Sequence, residues 1–285
     1  MKIIDTKLMI MRKMALIITL AIMAPSLLLT GHVHAKNSSS PWIIDQYTKS
    51  RLFVGGYDKS KNILHLGWQI SLKEGWKTYW RSPGDAGLPP RWTWTKNRNS
   101  KKITVNWPAP KLLNIFGMDT YVYFHEVVLP INMEISDGQK PTSILLDLEY
   151  MICAEICIPK EGRYSLDLPI LDDIEVSLFQ KAQLDRHMAL VPPRISGDGI
   201  KIQMDMDQKN RILIDLPDTI HLVDTIIIEG PDGFLFGRPK LRNITNHNRF
   251  IAPYNGDQAI KGQRLTLTLL YKNGTASETS VTVQP

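Results

Sequence analysis

Cysteine is scarce in this sequence: 285 residues contain two, Cys153 and Cys157. That scarcity excludes a disulfide-dense secreted scaffold and a four-thiolate zinc site. Long hydrophobic runs are scarce too. After residue 30 no apolar stretch is long enough to span a bilayer. There is no Gly-x-Ser-x-Gly elbow and no Walker-type phosphate loop. His125-Glu126 lacks the second histidine that a zincin helix needs. None of these patterns implies a cofactor or a metal centre. What the chain does have is an ordinary apolar content of 43%, which excludes wholesale disorder. Length alone sets an expectation of about two domains.

The first residues bear on compartment and charge together. Lys2, Lys7, Arg12 and Lys13 form a basic start, and Met14 to Leu29 is almost unbroken apolar sequence. The stretch ends at Val33-His34-Ala35, a small-residue cleavage pattern, so residues 1–35 read as a signal peptide. A retained anchor fits less well, because the stretch is short and contains Pro25 and Ser26. Removing Lys2, Asp5, Lys7, Arg12 and Lys13 halves the net charge of +6 to +3. A nucleic-acid partner thereby loses its main support. The mature chain is expected in an oxidising compartment, where disulfides persist.

Most of the remainder reads as strand. Leu64, Leu66, Trp68 and Ile70 alternate with His65, Gly67, Gln69 and Ser71. Ile144, Leu146, Leu148 and Tyr150 alternate in the same way. Period two marks half-buried strands. Weaker candidates are 51–57, 103–107, 127–135 and 164–168, with Gly and Pro between them. Asp172 to Leu190 differs: it lacks Gly and Pro, and Ile174, Leu178 and Ala182 recur at helical spacing. Asp172 or Asp173 is the expected cap, and Pro192-Pro193 the stop. Strands then return at 200–206, 212–216, 225–229, 265–271 and 280–283. The expectation is all-β: two antiparallel, immunoglobulin-like sandwiches, residues 36–172 and 193–285, joined by a short helix at 173–192. One larger sandwich with an embedded helix is the other arrangement consistent with this pattern.

The cysteine pair admits three readings. Along a continuous strand, residues four apart are roughly 13 Å apart. A disulfide needs Cα atoms within about 7 Å. If the two bond, the chain between them turns back on itself, and the strand ending at Tyr150 breaks into a tight loop. A structural staple is one reading, but closing so short a loop stabilises by only about 2 kcal/mol. A soft-metal site is another, with Met151 as a third ligand for Cu(I). A redox-active pair is the third, since short-loop disulfides exchange readily. Glu149, Glu155 and Glu161 disfavour a thiolate, Lys160 favours one, and no histidine adjoins either cysteine. The pair therefore fits a disulfide attacked by another protein's thiolate better than a strongly activated nucleophile.

The run Gly75-Trp76-Lys77-Thr78-Tyr79-Trp80-Arg81-Ser82-Pro83-Gly84-Asp85-Ala86-Gly87-Leu88-Pro89-Pro90 resembles a signature of the periplasmic N-terminal domains of the DsbD/ScsB group of thiol:disulfide interchange proteins. Trp107-Pro108-Ala109-Pro110, Val127 to Pro130, and Tyr150 with the cysteine loop, Pro159 and Glu161 continue the pattern. On its own the first run reads as a Gly/Pro-rich turn that shapes the fold. The resemblance covers roughly residues 50–170.

That resemblance implies an immunoglobulin-like domain whose cysteine pair passes electrons between thioredoxin-like proteins and oxidised periplasmic proteins. It implies that Cys157 forms mixed disulfides and that Cys153 resolves them. It also implies a cap loop, here Leu113 to Gly117, with Ile115 or Phe116 covering the pair and Tyr150 beside it. The Cys-x3-Cys spacing is closer to the ScsB-like branch, and the acids of the DsbD cap are replaced by Leu113 and Asn114. The sequence to Pro285 holds no membrane helix and no Cys-x-x-Cys motif, so a separate membrane protein is the expected electron donor. The competing expectation is a non-catalytic periplasmic binding module, copper-related or protein-binding, with a structural disulfide.

Overall fold

Alternation of apolar and polar residues organises much of the chain into antiparallel strands, and the longer ones such as Thr142–Cys153 and Cys157–Leu168 bury one face. The computed structural model describes residues 38–244, 247–256 and 259–284, so the expected signal peptide lies outside the described residues. The first eleven strands are β1 (Ile43–Ile44), β2 (Thr48–Asp58), β3 (Ile63–Leu72), β4 (Lys77–Gly84), β5 (Arg91–Trp94), β6 (Ser100–Val105), β7 (Lys111–Ile115), β8 (Met118–Phe124), β9 (Glu126–Ile135), β10 (Thr142–Cys153) and β11 (Cys157–Leu168). A single α-helix, α1 (Leu178–Met188), follows among the described residues. The remaining strands are β12 (Lys201–Met204), β13 (Arg211–Leu216), β14 (Val223–Glu229), β15 (Phe234–Phe236), β16 (Lys240–Ile244), β17 (His247–Gly256), β18 (Arg264–Tyr271) and β19 (Ala276–Thr282).

Two sheets form the first sandwich. One runs β1-β2-β3-β9-β6, the other β11-β10-β4-β8-β7, with β5 paired to β10. Leu64, Leu66, Trp68 and Ile70 of β3 are fully buried, as their alternation predicts. They face Ile144, Leu146, Leu148, Tyr150 and Ile152 of β10 in one core, which Trp80 of β4 completes. The rings of Trp68 and Tyr150 meet edge to face with centroids 5.3 Å apart. A second pair of sheets, β12-β13-β17-β15 with β16 on β17, and β14-β18-β19, encloses its own core. Ile227 of β14 packs into the first core, so the two sandwiches share a boundary.

The helix departs from its expected bounds and face. It begins after Ser177 rather than at Asp172 or Asp173, which lie in a short 3-10 turn, Leu171–Asp173. Leu178, expected on the buried face, is 84% exposed. The buried face instead carries Gln180, Gln183, Leu184 and His187. The reason is the surface it meets. The helix lies on the outer face of the first sheet, where Gln183 Nε2 donates to Glu126 Oε1 at 3.1 Å and Gln180 bonds Ser39. Only Leu184 packs in an apolar contact there, with Phe53 and Val128.

Gly55 of β2 makes that approach possible. A Cβ there would lie 2.2 Å from Leu184 Cδ2. Gly55→Val should push the helix off the sheet and cost about 1–3 kcal/mol by overpacking. Urea unfolding checks this, and an unchanged midpoint would contradict it.

Candidate functional site

β10 and β11 form a hairpin whose register runs without a shift from Thr142↔Leu168 to Cys153↔Cys157. Side chains alternate across the sheet, so Ile144 to Ile152 enter the core and Met151 and Cys153 emerge on the reverse face. β10 does not break at Tyr150 but continues three residues further, and the chain turns back within Ala154-Glu155-Ile156. Cys153 and Cys157 are thereby opposed at a Cα separation of 4.1 Å and are joined in a disulfide. In this form each sulfur is bonded to the other.

The two cysteines have different surroundings. Cys153 is 1% exposed, whereas Cys157 is exposed to solvent. Cys153 packs with Tyr79 and Val122, with Leu113, Phe124 and Met151 around them. The Tyr79 hydroxyl donates to Cys153 Sγ at 3.0 Å and is 4.0 Å from Cys157 Sγ. Burial raises the pKa of Tyr79 above its ordinary value, so the group stays a donor through the neutral range. Lys77 Nζ reaches the carbonyls of Cys153 and Ala154 at 3.4 Å, and burial lowers its pKa.

Sequence reasoning missed Tyr79 and Lys77. The run that reads as a turn begins as strand β4, with Trp76, Thr78 and Trp80 on the core side and Lys77 and Tyr79 on the other. Both faces of β4 are buried from Lys77 to Trp80, so the residues do not alternate apolar with polar and no period-two signal marked the strand. The later half of the run has a definite task. Gly87 has φ +96°, and a Cβ on it would lie 2.2 Å from the Tyr79 ring. The turn therefore presses its backbone on the ring and holds the hydroxyl in place.

The expected cap residues do not gather over the disulfide. Phe116 is 98% exposed. With Gly117 it forms the two-residue tip of the β7–β8 hairpin, and both have positive φ (51° and 82°). That tip geometry turns the Phe116 ring into solvent. Ile115 is half-buried and lies outside the cluster around Cys153. Tyr150 is buried on the opposite face of β10 from Cys153, in the main core, so it shields the pair only through the sheet. Lys160 is likewise committed elsewhere, to Asp45 at 2.9 Å. The hydrophobic neighbours of Cys153 are instead Leu113, Val122 and Tyr79.

Residues 48–169 match the family model "Thiol:disulfide interchange protein DsbD, N-terminal", so the chain resembles that domain across the first sandwich. The fold is also that of the N-terminal periplasmic domain of ScsB from Proteus mirabilis. That crystal structure matches with a TM-score of 0.70 and 22% identity, covering 87% of this chain and 99% of that one. The shared fold thus extends past the family match into the second sandwich. Two chaperone structures match at far lower similarity. They are the periplasmic chaperone SfaE (7% identity, TM-score 0.20, 82% of this chain and 100% of that one) and the CupB2 chaperone of Pseudomonas aeruginosa (8%, 0.21, 81% and 100%). No curated protein sequence matches the chain.

Two substitutions probe the site. Tyr79→Phe should keep the fold and slow reduction of the disulfide by dithiothreitol about tenfold, because a hydrogen bond to a charged sulfur is worth ~1.5–3 kcal/mol. Gly87→Ala should slow it in the same direction and lower stability by about 1–3 kcal/mol through contact with the ring. Stopped-flow reduction and urea unfolding read the two effects. Wild-type rates in both variants would contradict the assignment.

Proposed function

We propose that this chain is a periplasmic thiol:disulfide interchange module, relaying electrons between partner proteins through Cys153 and Cys157. The observation that supports it most is the asymmetry of the pair: one sulfur exposed to an incoming thiolate, the other buried against a hydroxyl donor.

Reduction proceeds by two displacements. A partner thiolate attacks Cys157 Sγ, the new sulfur–sulfur bond forms there, and the Cys153–Cys157 bond breaks with its electron pair on Cys153. Tyr79 donates to the departing thiolate, lowering its basicity and improving it as a leaving group. The partner's second thiolate then attacks its own bonded sulfur and releases Cys157. The partner leaves as a disulfide, and the pair holds two electrons and two protons. Delivery runs the same steps in reverse. Cys157 attacks an oxidised protein, and Cys153 resolves the mixed disulfide.

Partner choice has a physical basis beside the pair. A groove of about 270 Å³ is lined by Leu88, Pro89, Met151 and Pro159, among others. Met151 and Pro159 lie opposite each other two residues below the cysteines, on the same face of the hairpin. An apolar side chain flanking a partner's cysteine fits there. Thioredoxin-like redox proteins and a separate membrane electron donor are the partners this reading names.

Trapping tests it. Cys153→Ser leaves the exposed sulfur free and should accumulate covalent adducts with thioredoxin-like proteins, all released by reductant. Cys157→Ser should accumulate far fewer, because the remaining sulfur is buried. Absence of adducts from both variants would sink the reading. The pH profile gives a second check. The raised pKa of Tyr79 keeps its hydroxyl protonated at pH values below about 10. Reduction by a small thiol should therefore rise with the attacking thiolate and level off near pH 9–10. A fall in rate below about pH 10 would contradict the role given to Tyr79.

A further inference from the structure

β4, the strand that carries Tyr79, is only partly held by its neighbours. On one side it pairs with β10 at Lys77 and Thr78 alone. On the other it pairs with β8 through Tyr79↔Val122 and then not again until Gly84↔Thr120. Four residues, Trp80 to Pro83, stand against one, Tyr121, in a bulge that begins immediately after Tyr79. Bulges of this kind re-aim side chains and leave their residues without ladder partners.

Arg81 sits in that gap, two residues beyond Tyr79, and its partners come from the second sandwich. Its Nε donates to Glu229 Oε1 at 2.9 Å, and its Nη2 donates to Glu229 Oε2 at 2.6 Å. The same Nη2 donates to Glu278 Oε2 at 2.5 Å. Glu229 ends β14, and Glu278 lies in β19. The Arg81 guanidinium also lies 4.3 Å from the ring centroid of Trp80, which is fully buried in the first core. All three charged side chains are at most one-quarter exposed. A fork bound to two carboxylates in partly dry surroundings fixes direction as well as distance. Arg194 Nε lies 3.7 Å from the other carboxylate oxygen of Glu278, Oε1.

We propose that Arg81 is a positioning residue: clamped by Glu229 and Glu278, it holds β4 where the ladder lets go, and so keeps the Tyr79 hydroxyl aimed at Cys153 Sγ. This gives the second sandwich a role, setting the redox poise of a disulfide that lies wholly in the first. It rests on the interchange reading above, in that the poise matters to function only if the pair exchanges. The effect has a definite sign. Tyr79 stabilises the Cys153 thiolate more than the disulfide sulfur. Loosening β4 therefore favours the oxidised pair.

The test is a double-mutant cycle in the complete mature chain: Arg81→Gln, Tyr79→Phe and the two together. Each is equilibrated with a dithiothreitol redox buffer, and the oxidised fraction is read by thiol alkylation. Thermal melts confirm folding. Arg81→Gln should shift the equilibrium constant about tenfold toward the disulfide, which is ~30 mV. Tyr79→Phe should shift it by a similar factor, and the double variant no further than Tyr79→Phe alone. A folded Arg81→Gln with the wild-type constant would overturn the proposal. So would a shift that persists in full on the Tyr79→Phe background, because the clamp would then act elsewhere. Glu229→Gln retains hydrogen-bonding capacity and reads the same shift should Arg81→Gln not fold. Failure of the wild-type pair to exchange with thioredoxin-like proteins would remove the interchange reading and leave this cycle interpretable, since the small dithiol reports the poise directly.

Discussion

The register of the β10–β11 hairpin is the constraint on which the site depends. Twelve consecutive cross-strand pairs run from Thr142↔Leu168 to Cys153↔Cys157. Every second residue of β10 from Ile144 to Ile152 is buried in the sandwich core. A slip of one residue would exchange the two faces of the strand and carry the core residues into solvent. The core therefore fixes the register, and the register sets Cys153 opposite Cys157. It also determines that Cys153 emerges on the face where β4 supplies Tyr79.

From that placement the chemistry follows as a difference between two sulfurs. One strand end is packed beneath Tyr79, Val122 and Leu113, and the other lies at the free edge of the sheet. Of the two sulfurs, only that of Cys157 is open to an incoming thiolate. The short closed loop contributes little to stability in the chain-entropy account, and the core beneath it does not need a staple. The stabilising elements, Trp68 against Tyr150 and the aliphatic residues of β3 and β10, lie on the other side of the sheet. Core and disulfide thus share a hairpin without sharing a face.

Where local pattern and burial coincide, the sequence was readable. β3 and β10 show strict alternation because each has one face in the core, and the structure bears out those buried faces residue by residue. The resemblance in Gly75 to Pro90 pointed to the right fold, since the family match spans 48–169 and the ScsB likeness extends beyond it. What escaped was set by tertiary context. α1 buries glutamines because the sheet surface beneath it presents Glu126, so no apolar stripe marks its inner face. Phe116 looks like a covering residue in sequence, but the positive φ values at Phe116 and Gly117 turn it outward. Tyr79 is 74 residues from Cys153 in sequence, and β4 is buried on both faces around it, so no alternation marks the strand. Nothing local marks Arg81 as the residue that ties β4 to Glu229 and Glu278.

The function of the pair depends on whether it is poised to exchange. The most direct measurement is the reduction potential of the wild-type disulfide, from equilibrium with glutathione at neutral pH. An interchange module with its leaving sulfur stabilised by a hydroxyl should lie between about −180 and −270 mV, within reach of thioredoxin-like partners. A value well below about −300 mV would mark an inert structural bond and contradict the account.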